Sequence, residues 1–299
     1  MWSLSECIPW MTVGLAESVA IVTLNLCTII TFIRNRNLRK RSMYLVINLA
    51  VTDIFVAGNA VFNLFYWPGV MCNLWMYTVS TEDGTYYFMV VMMFFFLFSS
   101  LTNMAIIALE RLHATVYPFR YRMLKKWVYR LLIAAVWVTA GLLTIAYILL
   151  VQFDESYYSN YLPLTFYSIC LLSICVSYTS IVIKVRCGAQ PQHHGATSRE
   201  RKLTMTLLIV TVVSLLLCLP FIIFRFVVVI TKFEIYQFKS FSVGFHLRSA
   251  LLVLLYANSL VNPILYTIRL PEYRSALLAL FRKQPQQQRQ VAVFPLRDM

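Results

Sequence analysis

Seven uninterrupted apolar runs, each long enough to cross a bilayer, constrain this chain more than any other feature. A hydrocarbon core about 30 Å thick takes about 20 helical residues to span. Such runs occupy residues 10–33, 43–67, 86–109, 127–151, 162–185, 203–230 and 243–268, joined by short links. Lipid leaves the backbone two ways to satisfy its hydrogen bonds, helices or a closed barrel, and continuous rather than alternating apolarity predicts helices. Composition agrees: 60% hydrophobic against 13% charged residues is not a soluble surface. Eight glycines and ten prolines exclude a collagen-like or low-complexity chain, and 15% aromatics argue against disorder. The expected fold is an all-α membrane protein, a seven-transmembrane helix bundle with a short amphipathic eighth helix. That last element falls on residues 271–283, where Tyr273, Leu277, Leu278 and Phe281 recur at helical spacing, interspersed with Arg274 and Arg282. Residues 1–9 read as an extracellular N-terminus, 10–270 as the bundle, and 284–299 as a cytoplasmic tail rich in Gln.

A net charge of +14 would suggest nucleic acid as the partner of a soluble domain, but in a membrane chain the position of the charge decides. Twenty-two of the 26 basic residues fall in the links and tail on one side; only Arg225, Lys232, Lys239 and Arg248 belong to the other. The bias predicts a multi-pass protein with its N-terminus outside and its C-terminus cytoplasmic, whose partner is the lipid bilayer and not nucleic acid. The first apolar run lacks a basic leader and is long enough to span, so it is expected to stay as the first helix. Internal repeats, the signature of many secondary transporters, do not appear, nor does any metal-ligand spacing, nucleophile motif or phosphate loop. An enzyme is not expected, and no cofactor beyond an allosteric ion.

Ionisable groups at membrane depth are costly enough to require a purpose. Asp53 lies near the middle of the second span and must be protonated or paired; Ser100, Asn103, Asn258, Ser259 and Asn262 are its candidate partners. Neutral oxygens around one carboxylate suit a small hard cation or a proton, and a structural hydrogen-bond network fits equally well. Glu110 and Arg111 close the third span. Glu200 sits twenty positions before Pro220, about 30 Å along a helix, and so at the same depth as Arg111. An Arg111–Glu200 pair would clasp two helices at their inner ends, the alternative being an arginine that snorkels to phosphate. Pro220 and Pro263 interrupt the sixth and seventh spans and permit kinks.

Together these residues resemble the rhodopsin-like (class A) G-protein-coupled receptors. Asn25 matches the family's first-helix Asn, and Asn48-Leu49-Ala50-Val51-Thr52-Asp53 its second-helix motif. Glu110-Arg111 matches the acidic-Arg pair, with Pro118 following in the second inner loop. Trp137, Tyr178 and Pro220 match single landmarks of the fourth, fifth and sixth helices, and Asn262-Pro263-Ile264-Leu265-Tyr266 is similar to the Asn-Pro-x-x-Tyr motif. The resemblance implies a location in the plasma membrane, an extracellular ligand, a heterotrimeric G protein as partner, and an outward swing of the sixth helix. It also implies a sodium pocket of Asp53, Ser100, Asn258, Ser259 and Asn262. Arg111 with Glu200 would be the inactive-state lock, and Arg111 with Tyr178 and Tyr266 the active-state contacts. A transporter or channel built on Asp53, or a non-signalling decoy receptor, are the competing readings.

Several family features are missing. The third-helix cysteine is Tyr86 here, and residues 152–161 contain no Cys. Cys7 and Cys72 are the only cysteines on the outer side, so a bridge between them and a pair of free thiols are both compatible with the sequence. Cys27, Cys170, Cys175, Cys187 and Cys218 are expected to be free. Leu112 follows Arg111, Cys170 replaces the fifth-helix Pro, and Cys218 replaces the sixth-helix Trp, so Phe221 or Phe224 would transmit ligand sensing, the alternative being that both are plain core aromatics. The tail beyond Lys283 has no Ser, Thr or Cys, so neither phosphorylation-dependent arrestin binding nor palmitoylation is expected there. Outside sequons are also lacking.

Elimination narrows the ligand. Met93 stands where amine receptors carry Asp, and Tyr256 where opsins carry Lys. The implied pocket offers Met93, Phe94, Leu97, Phe221 and Tyr256 with Arg225 and Arg248 at its rim, a hydrophobic slot under two guanidiniums that suits an acidic group. A peptide is the leading expectation. Against an acidic ligand, Glu6, Glu82, Asp83, Asp154, Glu155 and Glu234 make the outer loops acidic, which favours a basic ligand or pairs with the arginines.

Overall fold

The computed structural model describes residues 3–35, 38, 43–74, 84–153, 156–187, 196–231 and 241–281. Seven long helices cross one another as a bundle: Leu4–Arg34, Met43–Met71, Gly84–Val116, Lys126–Gln152, Ser156–Cys187, Ala196–Thr231 and Phe241–Arg269. Each contains a stretch long and apolar enough to span a membrane. A one-and-a-half-turn helix, Pro118–Met123, links the third and fourth, and Pro271–Phe281 follows the seventh. Among the described residues there is no strand.

The first helix starts at Leu4, six residues ahead of the apolar run that marks it in the sequence, so most of the stretch expected as a separate N-terminus is helical. The cause is local. Glu6 reaches back to accept a hydrogen bond from the Ser3 amide at 3.2 Å, satisfying a donor that would otherwise be orphaned at the helix start. Hydropathy counts Ser3, Ser5 and Glu6 against a span, whereas capping uses them.

The second helix is not uniform. Five residues, Phe62–Tyr66, form a π-turn immediately before Pro68. A proline ring clashes with the carbonyl four residues earlier and cannot donate to it; widening the helix by one residue just ahead of Pro68 relieves both problems. The helix closes at Asn73, which adopts a left-handed conformation (φ 55°) that Asn tolerates, while the Leu74 amide bonds back to the Gly69 carbonyl at 2.8 Å. This turn sets Cys72 against the first helix, where it is joined in a disulfide to Cys7, with the two Cα atoms 6.6 Å apart.

Lipid tails are as apolar as leucine, so helices associate in a membrane through close packing and polar contacts rather than by escaping water. Gly14 shows how close. A Cβ built there would lie 2.3 Å from Leu64 Cβ in the π-turn, nearer than non-bonded carbons approach. Gly14→Val is expected to push the first helix off the second and cost about 1–3 kcal/mol, the range for overpacking. Thermal unfolding of the detergent-solubilised protein measures this; an unchanged midpoint would mean the helices can separate without penalty.

Four apolar clusters result among the described residues, and two of them dominate. The larger, at the end of the bundle bearing the C-terminus, gathers Leu45, Leu49, Leu101, Met104, Ile174 and Ile181 around Tyr178 and Tyr266. The smaller joins Ile21, Val56, Ala57, Ala60 and Leu64 to Leu252 and Leu255. Tyr273 of the last helix joins the larger one to the first helix, hydrogen-bonded to Thr28 at 2.8 Å and packed on Phe32. Residues 282–299, including the expected tail, lie outside the described residues.

Candidate functional site

The polar residues of the spans collect at three levels. At the end carrying the N-terminus, a cavity of about 250 Å³ opens between the second to seventh helices. Met93, Phe94 and Leu97 of the third helix and Phe221 of the sixth make its apolar floor; Arg225, Arg248 and Tyr256 also line it. All seven residues expected from the sequence therefore meet in one chamber. Asn63, Tyr147 and Tyr167 join them, and none was singled out beforehand. Asn63, presented by the π-turn, donates to the Tyr256 hydroxyl at 3.0 Å and accepts from Arg248 Nη2 at 3.4 Å. Phe224 lines the cavity as well, so both aromatics proposed to stand in for the missing sixth-helix Trp are at its wall, while Cys218 is buried behind them.

Around the mouth, three contacts tie the first helix to its neighbours. Besides the Cys7–Cys72 bond, Ser242 donates to Glu6 Oε1, and Trp10 Nε1 donates to His246 Nδ1 at 2.8 Å. Glu6 is thus partly engaged with the seventh helix. Glu82, Asp83, Asp154, Glu155 and Glu234 lie outside the described residues.

Halfway through the bundle, Asp53 is fully buried. Ser259 Oγ donates to its Oδ1 and Asn262 Nδ2 to its Oδ2, each at 2.8 Å. Three more buried oxygens, Ser100 Oγ, Asn258 Oδ1 and Asn262 Oδ1, have no hydrogen-bond partner. Ser100 points toward Asp53 without reaching hydrogen-bond geometry. Asn103, a sequence candidate for the same carboxylate, is used elsewhere: it donates to the Leu45 carbonyl and accepts from Asn48, whose own oxygen accepts from Trp137 at 3.1 Å. Asn25 braces the seventh helix by donating to the Ser259 carbonyl at 3.0 Å. Pro220 and Pro263 both lie inside continuous helices.

At the end carrying the C-terminus, Arg111 is 3% exposed and its Nε donates to Glu110 Oε2. The other carboxylate oxygen accepts from two phenols, Tyr121 at 2.8 Å and Tyr129 at 3.1 Å. Tyr121 stands on the short helix that Pro118 initiates, and burial pushes its phenol above the ordinary value, keeping it a donor. Tyr178 shares a hydrogen bond with Thr211 of the sixth helix at 2.9 Å, and the Tyr266 hydroxyl is buried without a partner. The backbone of Glu200 belongs to the sixth helix, but its side chain, and with it the Arg111–Glu200 clasp expected from the sequence, lies outside the described residues.

Comparison with known proteins fits this arrangement. The profile of the 7 transmembrane receptor (rhodopsin family) matches residues 24–266. The chain belongs to the rhodopsin family of seven-transmembrane receptors. It is 26% identical to the dog Substance-K receptor over 92% of its own length and 76% of the relative's. Against the rat Somatostatin receptor type 5 the identity is 28%, over 87% and 72% respectively. It is a receptor and not an enzyme.

Within the receptor, the sequence revealed positions on the helices but not the partners that side chains find across them. Tyr121 and Tyr129 stand 11 and 19 residues from Glu110 and meet it only because the short helix folds back. Tyr167 and Tyr147 carry no motif. The one available signal was chemical: each is a phenol within an apolar run, and buried phenols generally find a polar neighbour.

Proposed function

We propose that this receptor sits in the plasma membrane with its N-terminus outside, binds an extracellular peptide carrying an acidic group, and activates a heterotrimeric G protein at its basic, cytosolic end. The orientation rests on the placement of 22 of the 26 basic residues. The peptide reading draws on the relatives, which are receptors for substance K and somatostatin. The single observation that carries the ligand chemistry is the cavity itself, an apolar floor with two guanidiniums, Arg225 and Arg248, in its walls. A guanidinium taken partly out of water favours an anionic partner, and its planar fork matches a carboxylate.

The same reading gives Asp53 a sodium ion as allosteric modulator. The unpartnered oxygens of Ser100, Asn258 and Asn262, with the Asp53 carboxylate and Ser259, form the oxygen-rich donor set that a small hard cation takes. Such an ion would balance the buried carboxylate. Asp53→Asn is then expected to abolish a sodium effect on agonist affinity of roughly tenfold; competition binding at matched ionic strength measures it, and an unaltered sodium dependence would remove the ion from the proposal. Release of the Arg111 cluster, with Glu200 as the sixth helix's contribution, is the step that opens the cytosolic end.

The test is direct. Receptor in lipid nanodiscs is exposed to peptide pools and assayed for guanine-nucleotide exchange on heterotrimers of each class. Ligand-dependent exchange is expected. Ligand binding with no exchange on any class would make the protein a decoy and overturn the signalling half of the proposal; ion flux without exchange would replace it by a channel or transporter.

A further inference from the structure

Resting on the peptide-receptor reading, the cavity indicates which end of the peptide enters it. Tyr167, on the fifth helix, lines the cavity and is only 7% exposed, yet its hydroxyl has no hydrogen-bond partner. Buried polar groups in folded proteins are ordinarily satisfied, so an orphaned hydroxyl in a cavity wall is available to whatever enters the cavity. Arg225, from the sixth helix, lies within electrostatic range of both Tyr167 and Tyr147. Three helices thus direct a cation and two phenols at one wall. The opposite wall is differently disposed: there Arg248 donates to Asn63, and Asn63 to Tyr256.

We propose that Arg225, Tyr167 and Tyr147 form a seat for a free carboxylate, so that the ligand enters carboxyl end first and lays an apolar or aromatic last side chain on Phe94 and Leu97. A guanidinium offers only donors, and both phenols can donate, so the group that can accept from all three is one made of acceptors. A carboxylate is that group. A C-terminal amide brings its own N–H donors against them, and an amine brings a like charge. Size supports the same assignment. A cavity of about 250 Å³ is below the roughly 300–1,000 Å³ of sites that hold drug-sized ligands, so it accommodates the last residue of a chain rather than a loop that must enter and leave. A small aromatic carboxylic acid shares this chemistry, and the experiment separates the two sources.

The probes are matched tripeptide pools ending in Phe, one with a free carboxylate and one amidated, together with 3-phenylpropanoate. Binding to nanodisc receptor is read by thermal shift and isothermal titration, with no G protein present. The acid pool is expected to bind about tenfold more tightly than the amide pool, as for a hydrogen-bonded charge against a neutral group. Arg225→Gln should erase that preference and Arg225→Lys restore part of it. Tyr167→Phe, which preserves shape, should weaken acid binding roughly fivefold and leave the amide unaffected. Binding of 3-phenylpropanoate in competition with the acid pool assigns the seat to small acids as well; tripeptide binding without it assigns the seat to peptides. Equal affinity for acid and amide, a preference that survives both substitutions, or no binding of the acid pool would overturn the proposal. Because binding is measured without G protein, those failures leave the exchange result untouched, and a failure of exchange leaves the seat standing.

Discussion

Membranes bearing Arg111→Ala are expected to leave nucleotide exchange at the rate of the G protein alone, while the variant still reaches the cell surface. Arg111 is almost wholly buried at the basic end of the third helix and pairs with Glu110. Removing one partner of a buried pair ordinarily costs about 3–5 kcal/mol, because the other charge is left uncompensated. Here the cost is reduced, since Glu110 retains hydrogen bonds from Tyr121 and Tyr129. The fold is therefore expected to survive the substitution, and the loss falls on signalling. Surface labelling alongside exchange separates the two. Arg111→Lys keeps the charge but not the two-pronged geometry and is expected to fall between. Exchange by Arg111→Ala at the unsubstituted rate would show that signalling does not pass through this residue.

Replacing both Cys7 and Cys72 by Ser is expected to have the largest effect on stability. The bridge spans 65 residues, and loop entropy alone gives such a closure about 4 kcal/mol in a chain that unfolds fully. A bundle whose helices remain inserted has less freedom to lose, so this is an upper bound; a fall in Tm of roughly 5–10 °C corresponds to the smaller share. The same fall should follow reduction of the unsubstituted protein with dithiothreitol. Agonist affinity should drop with it, because the first helix also holds the seventh through Trp10 and His246, and Arg248 lies just two residues further along that helix. A Tm that ignores both treatments would mean that the remaining contacts suffice.

The architecture was readable because the membrane imposes one strong rule: a span must be long and apolar, and seven stretches obey it. Ends were less readable, since hydropathy ignores the Ser3–Glu6 cap that starts the first helix early. The π-turn at Phe62–Tyr66 has no residue pattern of its own; it exists to accommodate Pro68 and to fit Gly14 against Leu64. Within the polar network, the Ser259 and Asn262 contacts to Asp53 followed from motif positions, whereas Asn103 was drawn away by Asn48 and the Leu45 carbonyl, a competition that only geometry decides. Around Arg111 the motif supplied Glu110 but not Tyr121 and Tyr129, which reach Glu110 across 11 and 19 residues because the chain turns back at Pro118.

The contacts at the mouth also divide the bundle mechanically. Stitched by a covalent bond and by the Glu6 and Trp10 hydrogen bonds, the first, second and seventh helices behave at that end as a stator. None of these three fastenings reaches the fifth helix or the sixth, and the sixth carries Pro220 within its span. Arg225 and Tyr167 stand on those two helices, so a ligand seated on them is expected to pull on the part of the bundle that the stitches leave out.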